Sequence, residues 1–276
     1  MSSVSKAALF LAVCCCASSF AAAAGTLRVC ADPNDLPYSN RKGQGFENQL
    51  AQLVAKDFGE TVAYVWYPQR SKFFKKTLNA GICDVVMGVP AGMPVASTTQ
   101  PYYRSSYVFV TRRDRNLKID SFDDPRLRDL RIGIHIPGAG DSSAPPAYAL
   151  SSRGIVRNVV EYSELGNLTE KDPSADLIRA VAQKKVDVAI VWGPVAGYFA
   201  QKSRVPLRLV PVKLPSDGPD TPFAFDISMG VRRGDKKLQR QLDEEIVRRE
   251  PQIRRLLTSY GIPQLNMSPP AAATGY

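Results

Sequence analysis

The 276-residue sequence predicts an α/β protein of two lobes, each built on a doubly wound parallel sheet. Strand-type and helix-type apolar periods alternate along the chain, a βαβαβ order opens it, and the same grammar returns after residue 131. About 250 residues beyond the leader are enough for two separate cores. A hydrophobic content of 44% excludes wholesale disorder.

Residues 1–24 read as a secretory leader. Lys6 supplies the positive charge, residues 7–16 the apolar run, and Ala22-Ala23-Ala24 the small residues of a cleavage site before Gly25. The run is too short for a membrane span, and no later segment is long and apolar enough for one. Cys14, Cys15 and Cys16 raise a lipoprotein reading, which the short apolar stretch and Val13 weigh against. The expected product is soluble, periplasmic and free of any integral membrane segment.

The first lobe is laid out in order. Leu27, Val29 and Ala31 alternate as a strand over 27–31. Phe46, Leu50, Leu53, Val54 and Phe58 follow at helical spacing, closed by Gly59. Residues 61–67 are β-branched and aromatic, hence a strand. A helix from a Ser71 cap through Ala80 carries Phe74 and Leu78 on its apolar face and ends at Gly81. A third strand covers 84–89, and 90–101 is a loop rich in Pro, Gly, Ser and Thr.

Residues 102–106 lead into a strand at 107–111. The second unit then places a strand at 131–136, a loop at 137–142, a helix near 147–153 and a strand at 156–162. Ser174 caps a helix running to 184, and 186–192 is a strand. After a Pro-rich loop at 211–222, residues 225–231 return as a strand to the first lobe. Final helices are expected at 236–250 and 252–260, followed by a loose Pro/Ala-rich tail at 263–276.

The formal net charge of +10 becomes +9 once Lys6 leaves with the leader. That balance favours acidic protein partners or anionic surfaces. An exported chain without a recognition-helix, zinc-finger or RNA-binding signature is not expected to bind nucleic acid. Cys30 and Cys83 survive processing, and an even pair in an oxidising compartment reads as a disulfide. In simple parallel register, however, the two residues lie about 10 Å apart along their strands. That offset leaves two buried free thiols as the alternative.

Several phrases resemble those of the type II periplasmic solute-binding proteins over nearly the whole mature chain. They are Gly45-Phe46-Glu47-Asn48-Gln49-Leu50, Gly81-Ile82-Cys83-Asp84-Val85-Val86-Met87-Gly88, Val186-Asp187-Val188-Ala189-Ile190 and Met229-Gly230-Val231-Arg232-Arg233-Gly234-Asp235. The resemblance implies a bilobed fold whose two sheets are joined by two hinge crossings, near 102–106 and 224–227. Lobe 1 then spans 25–103 and 226–262, and lobe 2 spans 104–225.

A narrower resemblance is to the quinoprotein-dehydrogenase-associated binding-protein homologues of MxaJ/XoxJ type. It is carried by the run from Cys30 to Asn40, by Trp66-Tyr67-Pro68-Gln69-Arg70, Cys83-Asp84-Val85-Val86-Met87-Gly88-Val89-Pro90 and Pro101-Tyr102-Tyr103-Arg104-Ser105, and by Phe225-Asp226-Ile227-Ser228-Met229-Gly230-Val231. It implies a non-catalytic accessory role, as a monomer without cofactor of its own, beside a PQQ-dependent quinoprotein alcohol (methanol) dehydrogenase and its cytochrome c. The alternative is a receptor for a small, non-amino-acid solute in an ABC-type uptake system.

Amino-acid binders of this family grip the ligand carboxylate with an arginine after the third strand, because a guanidinium fork pairs with both oxygens. Residues 88–103 contain no arginine, and Trp192 stands where those relatives place an ammonium-binding aspartate. Amino-acid transport is therefore not expected.

Ligands in open α/β sheets sit beyond the carboxyl ends of strands. The candidate cleft residues are accordingly Asp32, Asn34, Tyr38, Trp66, Arg70, Tyr102, Tyr103, Gly138, Gly140, Asp141, Ser142 and Trp192. Asp32 reads either as a cleft contact or as the cap of its own turn. Arg70 reads as an anion handle or as a surface arginine, and Trp192 as a stacking platform or as a plug. The glycines of 138–142 form an anion cradle or a structural turn, with Asp141 repelling an anion. His135, the single histidine, fits a strand better than a general base. The carboxylates at 123–124, 217 and 220 lack ligand spacing, so no metal is expected. The basic run Arg232, Arg233, Lys236, Lys237, Arg240, Arg248, Arg249, Arg254 and Arg255 reads as a solvated helix face or as a docking patch for an acidic partner.

Overall fold

The computed structural model describes residues 25–136, 144–163, 172–213 and 222–267. In the first lobe, β1 (Thr26–Ala31) pairs in parallel with β4 (Thr61–Trp66) and β5 (Val85–Pro90), while β2 (Asn34–Asp35) and β3 (Ser39–Asn40) form a small hairpin beyond the end of β1. α1 (Phe46–Asp57) covers one face of this sheet and the one-turn α2 (Phe73–Lys76) lies on the other. β6 (Ser97–Thr98) follows, and then β7 (Tyr103–Arg112).

The second lobe holds β8 (Ile132–Ile136), α3 (Pro145–Ser151), β9 (Val159–Ser163), α4 (Asp176–Ala182), β10 (Val188–Trp192), α5 (Gly193–Gln201) and β11 (Leu207–Pro211). β12 (Ala224–Val231) returns to the first lobe and α6 (Lys236–Ser259) closes it.

The two crossings are themselves strands. Residues 103–106 of β7 pair antiparallel with 224–227 of β12, and the rest of β7 pairs with β10 and β11. The sheets of the two lobes thus join into one ladder in the order β4-β1-β5-β12-β7-β10-β8-β9. Arg104 and Asp226, partners across the paired crossings, form an ion pair at 2.8 Å.

Burial explains the layers. Alternation along β1, β5 and β12 sends Leu27, Val29, Val85, Met87, Met229 and Val231 to one face. There they meet Phe46, Leu50 and Val54 of α1 and Leu242, Ile246, Ile253 and Leu257 of α6. The opposite face receives Cys30, Val86, Phe73, Leu78 and Cys83. In the second lobe, Val108, Val110, Ala189 and Val191 face α4 and α5, while Phe109, Ile132, Ile134 and Ile190 face α3. Each fully buried side chain of this size contributes roughly 1.5–3 kcal/mol of transfer free energy.

Several expected elements change. The helix expected over 71–80 breaks at Thr77, whose buried hydroxyl donates to the Phe73 carbonyl (2.7 Å), leaving α2 and a 3-10 turn at Leu78–Ala80. Ser174 lies inside a buried 3-10 turn (Pro173–Ala175) instead of capping α4. The two final helices are one: Pro251 sits on the exposed side of α6, and core contacts on both sides of it hold the axis together. Pro263 and Leu265, expected in the loose tail, are tied down. Ser105 donates to the Pro263 carbonyl (2.7 Å) and the Leu265 amide donates to the Arg104 carbonyl (2.9 Å). The chain leaving α6 therefore passes across the lobe junction, where Gly261 lies against Gly197 of α5. A Cβ on Gly197 would stand 1.9 Å from the Gly261 carbonyl oxygen, so only glycine fits.

Candidate functional site

The loop after β1 is held by its own polar groups. Asp32 accepts from the Asn34 amide (2.8 Å) through one carboxylate oxygen and from the Gln69 amide (2.6 Å) through the other. Ser39 donates its hydroxyl to the Asp32 carbonyl (2.8 Å). Asp32 thus caps its turn and also fastens the loop to residues 68–70. From this hairpin Leu36 reaches across the junction and is buried in the core of the second lobe among residues of α4 and α5. Tyr38, Trp192 and Tyr260 pack against the cores of both lobes.

Between the lobes lies a cavity of about 430 Å³. The structure brings Asp32, Asn34, Tyr38, Arg70, Tyr103 and Trp192 together around it. Glu47, Gln69, Gly88, Tyr107, Ser174 and Phe225 also line it, and the sequence reading missed them as cleft residues. Trp192 is half-buried and meets Tyr107 (5.4 Å, edge-on) and Phe225 (5.6 Å, edge-on), forming an aromatic floor where the lobes join. It packs as a plug at the junction while one side lines the cavity.

Two expected residues fall elsewhere. Tyr102 does not line the cavity: its ring packs against that of Tyr103 (5.0 Å) in the first lobe's core, and its buried hydroxyl donates to the Met87 carbonyl at 2.9 Å. Trp66 stacks on Tyr64 (4.6 Å, 23°) at the first lobe's edge strand, with the Arg41 guanidinium 5.7 Å above its ring. Gly138, Gly140, Asp141 and Ser142 lie outside the described residues. Cys30 and Cys83 are joined by a disulfide with a Cα–Cα distance of 5.6 Å. The offset of about 10 Å holds only where Cys83 continues the line of β5. Instead β5 begins at Val85, and bends at Ile82 and Asp84 bring Cys83 back beneath β1.

The charge inventory of the cavity is lopsided. Arg70 is its single lining cation, and among the described residues its guanidinium has no ion-pair partner within 4.0 Å. Glu47 sits in the first turn of α1 over Gly88, where a Cβ would stand 2.1 Å from the carboxylate oxygen in the absence of movement. Burial pushes its carboxyl up to about 8, overriding the favourable helix N-terminus. Burial also raises the hydroxyls of Tyr102 and Tyr103, with Glu47 adding to both. On the cavity wall Glu47 and Tyr103 therefore present neutral donors near pH 7, beside the Asp32 and Asp35 side chains. Among the described residues, no group of three or more His, Cys, Asp or Glu is gathered for a metal ion.

His135 is buried in β8 and burial lowers its imidazole to about 4. This has a measurable consequence with Glu47. The Glu47 carboxyl rises from an ordinary 4.5 to about 8, so the stability it gives is full below pH 4.5 and is lost as pH rises through 8. The imidazole falls from 6.5 to about 4, so its contribution is present above pH 6.5 and lost as pH falls through 4. The two oppose each other between these limits and act alone outside them. The melting temperature is expected to be highest between about pH 4.5 and 6.5 and to fall toward about pH 9. Glu47→Gln is expected to flatten the alkaline fall, which thermal melts across that range will measure.

Four of the nine cations of the basic run at 232–255 are met by carboxylates. Arg232 donates to the Cys83 carbonyl (2.5 Å) and meets Asp84 (3.4 Å). Arg249 and Arg248 flank Asp57, Arg248 also meets Glu245, and Arg254 meets Glu250.

Residues 27–261 match the family model of bacterial extracellular solute-binding proteins, family 3. With the bilobed sheet, paired crossings and interlobe cavity, this places the chain in that family. Within it, the chain is similar to protein MoxJ of Methylorubrum extorquens AM1, 35% identical over 257 residues, which are 89% of this chain and 83% of that protein. Protein MoxJ of Paracoccus denitrificans is 31% identical over 249 residues, covering 88% and 90%. The crystal structure of the periplasmic binding protein XoxJ from Methylobacterium extorquens AM1 superposes with a TM-score of 0.72 at 37% identity, covering 87% of this chain and 100% of that one. Among the described residues no helix is long and apolar enough to cross a membrane.

Proposed function

We propose that this chain is a non-catalytic periplasmic accessory protein of a PQQ-dependent alcohol (methanol) dehydrogenase system, which binds the dehydrogenase and assists its maturation or activation. The observation that carries the reading is the likeness to MoxJ and XoxJ over nearly the whole chain. It is supported by the motifs that resemble the quinoprotein-dehydrogenase-associated homologues.

The cavity chemistry agrees with it. An amino-acid zwitterion needs a cation and an available carboxylate at opposite ends of the cleft. Here Asp32 is occupied by two backbone amides, Glu47 is held neutral by burial, and Trp192 floors the junction. With His135 buried in a strand, the cleft also offers few groups for acid-base work.

Affinity capture of the tagged protein from periplasm is expected to enrich the quinoprotein dehydrogenase, and to lose that enrichment in a strain lacking the enzyme. Capture with no dehydrogenase overturns the binding role.

The second reading, a receptor for a small non-amino-acid solute, draws on the cavity of about 430 Å³ with groups from both lobes. A solute bound near 1 μM, about 8 kcal/mol, raises the melting temperature clearly in a solute screen. Such a hit without dehydrogenase capture favours the receptor.

A further inference from the structure

Residues 70–76 read Arg-Ser-Lys-Phe-Phe-Lys-Lys. Phe73 anchors α2 in the core cluster that holds Leu78 and the disulfide-linked Cys30 and Cys83. Lys72, Lys75 and Lys76, at i, i+3 and i+4, are exposed on the other side of that turn, with the exposed Arg70 just before it. None of these four cations has an ion pair or side-chain hydrogen bond among the described residues. The sequence places no acidic residue between Glu60 and Asp84, and Asp84 is taken by Arg28 (2.6 Å) and Arg232 (3.4 Å).

Two large apolar side chains adjoin this stretch. Ile82 is 46% exposed and is fixed beside the disulfide, and Val95 is 39% exposed. Asn79 donates to the Val95 carbonyl (3.3 Å), bringing that loop alongside. On α6 Arg248, Arg249 and Arg254 are met by carboxylates of that helix and α1, whereas the α2 cations have none.

We propose that the α2 face, with Ile82 and Val95, is the surface on which an acidic protein partner docks. The proposal rests on the reading of this chain as a protein's accessory and names where that protein sits. Unpaired cations on a rigid support steer and orient a negatively charged surface, and the exposed aliphatic groups supply area to bury. Arg70, which also lines the cavity, ties the surface to the cleft mouth.

The test uses the full mature protein and two probes: the host's purified quinoprotein alcohol dehydrogenase and a labelled decaglutamate peptide. Lys72→Glu/Lys75→Glu/Lys76→Glu is compared with Lys237→Glu/Arg240→Glu/Arg255→Glu, which changes the net charge equally on α6. Ile82→Ser probes the apolar part at constant charge. Expected is a loss of dehydrogenase affinity of at least about tenfold for the α2 variant, a shallower salt dependence, and a change within about threefold for the α6 variant. Ile82→Ser is expected to weaken binding as well.

Unchanged dehydrogenase affinity in the α2 variant, or equal losses in both charge variants, overturns the surface and leaves the partner reading standing. Binding of the peptide through the α2 residues, with no dehydrogenase binding, keeps the surface and overturns the partner. Binding to neither probe, or only to phosphatidylglycerol vesicles, overturns the surface itself.

Discussion

Replacing both Cys30 and Cys83 by alanine is expected to cost about 4 kcal/mol of unfolding free energy. The pair closes a loop with a sequence separation of 53, and loop-closure entropy removed from the unfolded chain scales with the logarithm of that length. For a chain of this size the melting temperature should fall by roughly 10 °C. Both residues are buried in the cluster under α2, so the substitution also leaves a small void against Phe73 and Leu78. Urea unfolding of the double variant, and of the wild-type protein with and without reductant, measures the effect. A loss under about 1 kcal/mol would show that the bridge adds little to a fold already held by the β1–β5 ladder.

The second large effect is expected at Leu36. This residue belongs by sequence to the first lobe but is buried in the core of the second. Leu36→Ala removes the two methyls and the branching carbon from a packed site and is expected to cost about 3 kcal/mol. Because the hairpin has few other apolar anchors in that lobe, its amides should lose protection along with the global change. Those of Tyr38 and Arg41, bonded to the Asp35 and Pro33 carbonyls, are the reporters. Hydrogen exchange and urea unfolding read the two quantities separately. A small stability loss with unchanged hairpin protection would contradict the role of Leu36 as a bolt between the lobes.

Much of the fold is legible in the sequence because local period and burial agree. The α1 residues at 46, 50, 53, 54 and 58 recur at helical spacing, and their partly or fully buried face is the one that meets the sheet. The strands at β1, β5, β8 and β10 announce themselves by β-branched runs bounded by turn residues.

What escapes is decided at a distance. α5, Gly-Pro-Val-Ala-Gly-Tyr-Phe-Ala-Gln, is buried along seven of its residues, so it shows little polar period to mark it as a helix. Pro251 reads as a break, yet α6 runs through it because the buried Leu242 and Ile246 before it and Ile253 and Leu257 after it outweigh one missing amide. In the site, Tyr102 and Tyr103 share one core, and the Met87 carbonyl that takes the Tyr102 hydroxyl lies 15 residues away, so local pattern does not tell which of the two lines the cavity. Glu47 gave a motif signal but no sign that its carboxyl would lie over Gly88 at the cavity wall. Nothing near Leu36 tells that it belongs to the other lobe's core.

The central claim, that this binding-protein scaffold serves a dehydrogenase, is tested most directly in a deletion strain. PQQ-dependent alcohol oxidation is measured in its periplasmic extract, with dehydrogenase protein quantified in parallel. The account predicts that activity per dehydrogenase molecule falls on deletion and returns when the gene is restored on a plasmid. Unchanged activity per enzyme molecule, at unchanged enzyme level, would contradict it.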